Sequence, residues 1–126
     1  MQRQAILPPG RPRPTSPFSP GIRLGNLVFT SGQVGADAKG LIPADIRLQT
    51  RNALEACQAI LEAAGSGMQH VVKVTVFLTD ILDFEAMNDV YRTAFSGDLP
   101  ARSTVQVAAL ARPEMHVEIE MVGHVP

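Results

Sequence analysis

The chain has 126 residues, enough for one domain and too few for two. Its 11 Lys and Arg against 12 Asp and Glu leave a formal net charge of −1, which gives no basic footprint for nucleic acid and no polybasic signal for a membrane surface. A single cysteine, Cys57, rules out an intrachain disulfide and fits a reducing compartment, and the 45% hydrophobic content is that of a globular protein whose fold needs no metal or crosslink.

The first 20 residues hold six of the ten prolines, Pro8, Pro9, Pro12, Pro14, Pro17 and Pro20. Each fixes φ and removes a backbone donor, so the segment reads as an extended arm, neither helix nor central strand. Residues 1–14 are expected to be a flexible proline-rich arm, and from Thr15 the chain is expected to lie across a single domain, residues 15–126. The arm has no apolar stretch long enough for a secretion signal, and no run of ~20 apolar residues occurs, so a cytoplasmic protein is expected.

Ile22 to Leu24 and Leu27 to Ser31 flank Gly25-Asn26, the pattern of a hairpin. Gly32-Gln33 ends its second strand, and Gly35 to Pro43 read as a loop. Asp45 is placed to cap a helix in which Ala53, Leu54, Cys57, Ile60, Leu61 and Ala64 recur at three- and four-residue spacing, with Gly65 as its stop. Val71 to Thr79 alternates: Val72, Val74, Val76 and Leu78 share one side of a strand. A second helix carries Phe84, Met87, Tyr91 and Phe95 on one stripe, capped by Asp80 or Asp83 and stopped by Gly97. Ser103 to Ala108 and His116 to Val125 are two further strands. The order is ββαβαββ, an α+β domain with a mixed sheet and two helices packed on one face.

Alternation then assigns the faces. With Val117, Ile119 and Met121 toward the helices, Glu118 and Glu120 point away together. The same reading turns Ser103, Val105 and Val107 inward and puts Thr104, Gln106 and Phe77 on the far face. A face of that mixed character reads as an oligomer interface containing a polar pocket.

Arg102 opens a strand, and a guanidinium fork matches a carboxylate bidentately; on spacing alone an ordinary surface arginine at a strand start is the plainer reading. Glu118, mid-strand, is of the kind that acts as a general base or positions water, with a solvated strand residue as the plain alternative. Glu120 shares its face, and spacing leaves either open. Ser31-Gly32 closes a strand where a glycine lets a ligand approach the backbone, or simply makes a turn. Cys57 falls on the apolar helix stripe and reads as core. His70, His116 and His124 lack metal-ligand spacing, and no phosphate loop or nucleophile elbow is present, so neither metal nor cofactor is expected.

Taken together, Gly25-Asn26-Leu27-Val28-Phe29-Thr30-Ser31-Gly32-Gln33, Val72-Lys73-Val74-Thr75-Val76-Phe77-Leu78-Thr79-Asp80, Pro100-Ala101-Arg102-Ser103-Thr104-Val105 and Val117-Glu118-Ile119-Glu120 resemble the signature segments of the RidA/YjgF family over residues 15–125. The resemblance implies a chorismate-mutase-like fold and a homotrimer whose sheets form a central barrel with three clefts between subunits. It also implies hydrolytic deamination of small 2-imino and 2-enamino acids such as 2-iminopropanoate and 2-iminobutanoate, a metabolite damage control role without a cofactor. It places Arg102 on the carboxylate-binding arginine and Glu118 on the glutamate that handles the attacking water. Thr104 falls where members carry cysteine or threonine lining the cleft, Gly32 (with Ser31 before it) on the backbone beside the ligand, and Asn88 on an asparagine before the tyrosine of the second helix.

The sequence departs from the family in its arm. Where members often have Gly-Pro-Tyr-Ser-Gln, this chain has Ser16-Pro17-Phe18-Ser19-Pro20, so Phe18 lacks the hydroxyl that touches substrate or water. The loop after Gln33 and the turn from Ala111 to Met115 also differ. A longer or more apolar substrate, such as an aminomuconate-like compound, is therefore an alternative, as is a carboxylate-binding or chaperone-like module without efficient turnover. Some family members are labelled endoribonucleases or translation inhibitors. A net charge of −1, one tyrosine and no tryptophan argue against a single-strand stacking platform.

Overall fold

The computed structural model describes all residues 1–126. Its elements are β1 (Arg3–Ile6), β2 (Gly21–Leu24), β3 (Leu27–Thr30), β4 (Gln33–Val34), α1 (Ile46–Ala63), β5 (Val71–Leu78), α2 (Phe84–Tyr91), β6 (Ala101–Gln106) and β7 (Val117–His124), with short 3₁₀ turns at 68–70, 81–83 and 92–94. The strands form one mixed sheet in the order β1-β2-β3-β7-β5-β6, with β4 continuing along the β3 side of β7. Only β5 and β6 run parallel, joined through α2 as a βαβ crossover. Both helices cover the same face.

The local chemistry of α1 follows its sequence. The Asp45 carboxylate accepts from the Arg47 N–H at 2.9 Å. At the other end Gly65 adopts φ 88°, and Ser66 and Gly65 donate to the Leu61 and Glu62 carbonyls at 2.8 and 3.0 Å, a Schellman closure that only glycine enters without strain. Its buried stripe, including Ala53, Leu54, Cys57, Ile60 and Leu61, packs with Val28, Val74, Val76, Leu78, Val117, Ile119 and Met121 of the sheet. Gln49 is also fully buried: its amide donates to the Pro43 and Glu114 carbonyls at 2.7 and 3.0 Å and accepts from the His116 N–H at 2.9 Å, stitching two loops to the helix.

Several expectations change. Residues 3–6 of the arm are not loose: β1 pairs antiparallel with β2 as an edge strand, a position that tolerates the prolines following it. The register shifts between Val71 and Lys73, and the resulting irregularity turns Val72 outward, 47% exposed, breaking the four-residue apolar face at its first member. α2 ends at Tyr91, so Phe95 lies beyond it. Asp80 caps the 3₁₀ turn that precedes α2 by accepting from Leu82 N–H at 2.9 Å, and Asp83 makes no side-chain cap.

The faces of β6 are the reverse of those expected. Arg102, Thr104 and Gln106 stand beside Val74, Val76 and Leu78 in the parallel register, on the helix side. Ser103 and Val105 share the open face with Lys73, Thr75 and Phe77, and Glu118 and Glu120 lie there too. Gln106 confirms the reversal, since its side-chain oxygen accepts from the Ile81 N–H at the start of the 3₁₀ turn before α2. That open face exposes Leu27, Phe29 and Val105. No helix is long and apolar enough to cross a membrane.

Candidate functional site

The singled-out residues fall into two groups. The first surrounds the kink between β3 and β4. There Thr30, buried, accepts the Met121 N–H of β7 at 2.9 Å, while the Cys57 thiol donates to the Ile119 carbonyl at 3.3 Å. These bonds satisfy β7 where the neighbouring strand leaves it. Ser31 is committed to the arm: its N–H donates to the Pro20 carbonyl at 2.8 Å and its hydroxyl to the Ser19 carbonyl at 2.5 Å. The arm is thereby pinned with Phe18 half exposed, lining a cavity of about 260 Å³ together with Pro8, Pro12, Pro14, Gly32 and Val34.

Gly32 meets Glu118 across this kink. A Cβ placed on Gly32 would lie 2.6 Å from Cδ and 2.8 Å from Cγ of Glu118, so glycine is required for the carboxylate to occupy its position. Burial, and secondarily the neighbouring Glu120 charge, push the Glu118 carboxyl above the ordinary glutamate range. The structure thus separates the two glutamates that alternation could not: Glu118 is partly buried against Gly32, and Glu120 is exposed.

The second group surrounds Arg102, on the opposite face. Its guanidinium carbon sits 4.5 Å from the Tyr91 ring centroid and 5.7 Å from that of Phe84, and Nη1 lies 3.9 Å from the Met87 sulfur. Stacking on aromatic rings holds the fork without using up its donors, and Arg102 forms no salt bridge within the chain. It lines a cleft of about 220 Å³ with Asn88, Tyr91, Arg92, Leu99 and Pro100. Three buried polar atoms lack partners, Asn88 Oδ1, Tyr91 Oη and Thr104 Oγ1; two of these residues line the cleft, and Thr104 lies two positions along β6 from Arg102. Buried polar atoms without partners are costly and rare. Their concentration here marks a place prepared for polar company.

Two residues of this group escaped the sequence. Tyr91 falls on an apolar helical stripe and reads as core, although its ring is the platform under Arg102 and burial, opposed by the Arg102 charge, pushes its hydroxyl upward. Arg92 follows it as an unremarkable exposed cation. The available signal was the i, i+4 spacing of Asn88 and Arg92, which places them on one side of a helix. No cluster of three or more His, Cys, Asp or Glu side chains is arranged to hold a metal ion.

The family model described as Endoribonuclease L-PSP matches residues 9–125. A RutC family protein of Pyrococcus horikoshii is 40% identical over 124 residues, covering 97% of this chain and 98% of its own. The 2-iminobutanoate/2-iminopropanoate deaminase of Mus musculus is 39% identical over 123 residues, 96% and 90% of the two chains. Among solved structures, Escherichia coli TdcF with bound serine superposes with a TM-score of 0.91 at 38% identity, over 98% of this chain and 99% of that one. A sheet kinked over Gly32, a stacked Arg102 and near full-length likeness to these proteins agree on one assignment: the chain belongs to the RidA/YjgF family, of which the E. coli YjgF protein is a solved member.

Proposed function

We propose that the protein hydrolyses small 2-imino and 2-enamino acids to 2-keto acids and ammonia, at sites formed between subunits of a homotrimer. The observation that carries the reading is Arg102: a guanidinium stacked on Tyr91, free of any acidic partner in the chain, at the wall of a cleft with buried unpaired polar atoms. Such a group binds a carboxylate. The likeness to a mouse imine deaminase, and a relative crystallised with serine, supports a small substrate bearing one.

Arg102 and Glu118 project from opposite faces of one sheet, which favours a site completed by a second copy. In this reading Arg102 and Asn88 of one subunit face Glu118, Gly32 and Phe18 of the next, with Thr104 beneath the arginine. The exposed Leu27, Phe29 and Val105 on the open face supply apolar area for the contact. Arg102 clamps the carboxylate, and the enamine tautomerises to the imine. Glu118, whose carboxyl is raised toward the useful range of a general base, takes a proton from water as its oxygen adds to the imine carbon. Glu118 returns that proton to the nitrogen, and as the carbonyl forms the carbinolamine hydroxyl gives up its proton to the nitrogen, so that the C–N bond breaks and ammonia leaves. Because imines hydrolyse unaided, positioning plus one base worth roughly 100- to 10,000-fold is sufficient. No cofactor is invoked, and a cytoplasmic setting fits the lone thiol.

The absence of a hydroxyl on half-exposed Phe18 supports a second reading, a carboxylate-binding module with little turnover. One assay separates them: 2-keto acid formation from freshly generated 2-iminopropanoate and 2-iminobutanoate, wild type against Arg102→Ala. Acceleration that vanishes in the variant supports the hydrolase. Carboxylate binding without acceleration moves the assignment to the module.

A further inference from the structure

The Arg102 cleft holds a second guanidinium that the proposed reaction does not use. Of its six lining residues, Arg92 and Arg102 are charged and none is acidic. Neither arginine has an ion pair: the chain's two salt bridges are Arg47–Asp89 and Arg112–Glu114. Asp89, the acid nearest Arg92 on α2, is thus engaged by Arg47 at 3.0 Å. Two like charges facing one small cavity repel in the empty protein, and that repulsion is relieved by an anion bound between them. The buried, unpartnered hydroxyl of Tyr91, the residue before Arg92 and the one whose ring carries Arg102, marks the cavity independently as built for a polar occupant.

We propose that Arg92 is a specificity residue that binds a second anionic group, so that the preferred substrates are 2-imino acids carrying a further carboxylate at the far end, as the imines of acidic amino acids do. This rests on the hydrolase reading for the reaction, and on the cleft alone for the binding. Arg102 takes the carboxylate beside the imine carbon, and Arg92, one helical turn beyond Asn88, takes the distal one. A cavity of about 220 Å³ accommodates a chain of four or five carbons. The competing account is that Arg92 merely sits at the end of α2, where the helix dipole favours a cation. That role concerns stability and is blind to the ligand.

The test uses stable keto-acid probes and then the imines. Calorimetry measures 2-oxobutanoate and 2-oxoglutarate binding to wild type, Arg92→Gln and Arg102→Gln. Wild type is expected to bind 2-oxoglutarate roughly ten- to a hundredfold more tightly, the worth of one additional charge-assisted pair. Arg92→Gln should erase that preference by weakening 2-oxoglutarate binding far more than 2-oxobutanoate binding, and Arg102→Gln should weaken both. Equal binding of the two probes by wild type, or a preference that survives in Arg92→Gln, overturns the proposal. Hydrolysis of 2-iminobutanoate and of the imine of glutamate separates the two layers. An Arg92-dependent binding preference without turnover of either imine sinks the hydrolase reading and leaves the anion site standing. Turnover of both imines with a ratio indifferent to Arg92 removes the anion site and leaves the hydrolase.

Discussion

The carboxyl of Glu118 rests against the α-carbon of Gly32, with no room for a methyl group between them. Gly32 does not have positive φ, so its value here is close approach alone. Gly32→Ala is expected to fold, because the atoms in the way belong to a side chain that can swing aside, but to displace the carboxylate. Turnover should fall by about tenfold or more, since an ångström of misplacement is costly to a positioned base. Circular dichroism and the keto-acid assay check the two halves of this statement.

The raised Glu118 carboxyl fixes the pH behaviour. Its base form exists only above the raised pKa, so the rate should decline as pH falls through that value, above the ordinary glutamate range. Glu120→Gln removes the like charge and should move this limb to lower pH. Stability runs the other way. A carboxyl raised by burial favours folding while protonated and loses that contribution as pH rises through its folded pKa. Glu118→Gln should therefore abolish most turnover yet stabilise the fold slightly at neutral pH, by ~1 kcal/mol or less given its partial exposure, read as a small rise in Tm.

Tyr91 serves Arg102 through its ring. Tyr91→Phe keeps the platform and loses only the buried hydroxyl, so it should raise KM by less than Tyr91→Leu, which removes the cation–π contact as well and should raise KM roughly 5- to 30-fold. Steady-state kinetics with a monocarboxylate imine reads the difference.

Gln49 satisfies three backbone groups of two loops from a fully buried position. Gln49→Leu strands them, and the expected loss is about 2–4 kcal/mol in urea unfolding.

Cys57 is enclosed, and burial pushes its thiol to about 12. It should resist iodoacetamide at pH 8 in the native protein and react only as fast as the chain unfolds.

Helices and hairpin were readable because caps, stop glycines and apolar spacing are local signals, as Asp45 and Gly65 show. The faces of β6 were not. Ser103, Val105 and Val107 alternate as a respectable apolar set, and the parity is decided by pairing with β5, which the chain does not announce locally; Val74 beside Arg102 sets it. Val72 failed for a related reason, a register irregularity with no glycine or proline to flag it. The strand in the arm was hidden because Arg3–Ile6 gains its structure from β2, far along the chain. Within the candidate site, Arg102, Glu118 and Gly32 were accessible through matching segments, whereas Tyr91 resembles core and Arg92 resembles surface until the cleft between them is seen.

The division of Arg102 and Glu118 between opposite faces of one sheet has a genetic consequence. A polypeptide lacking the arginine still presents a sound glutamate, and one lacking the glutamate still presents a sound arginine. Under the proposed site shared between subunits, two dead alleles, Arg102→Ala and Glu118→Ala, should rescue one another when expressed together, with about a quarter of the junctions in randomly mixed assemblies pairing an intact half from each. In a cell carrying both, inheritance of the defect would be recessive in each allele and complemented by the other.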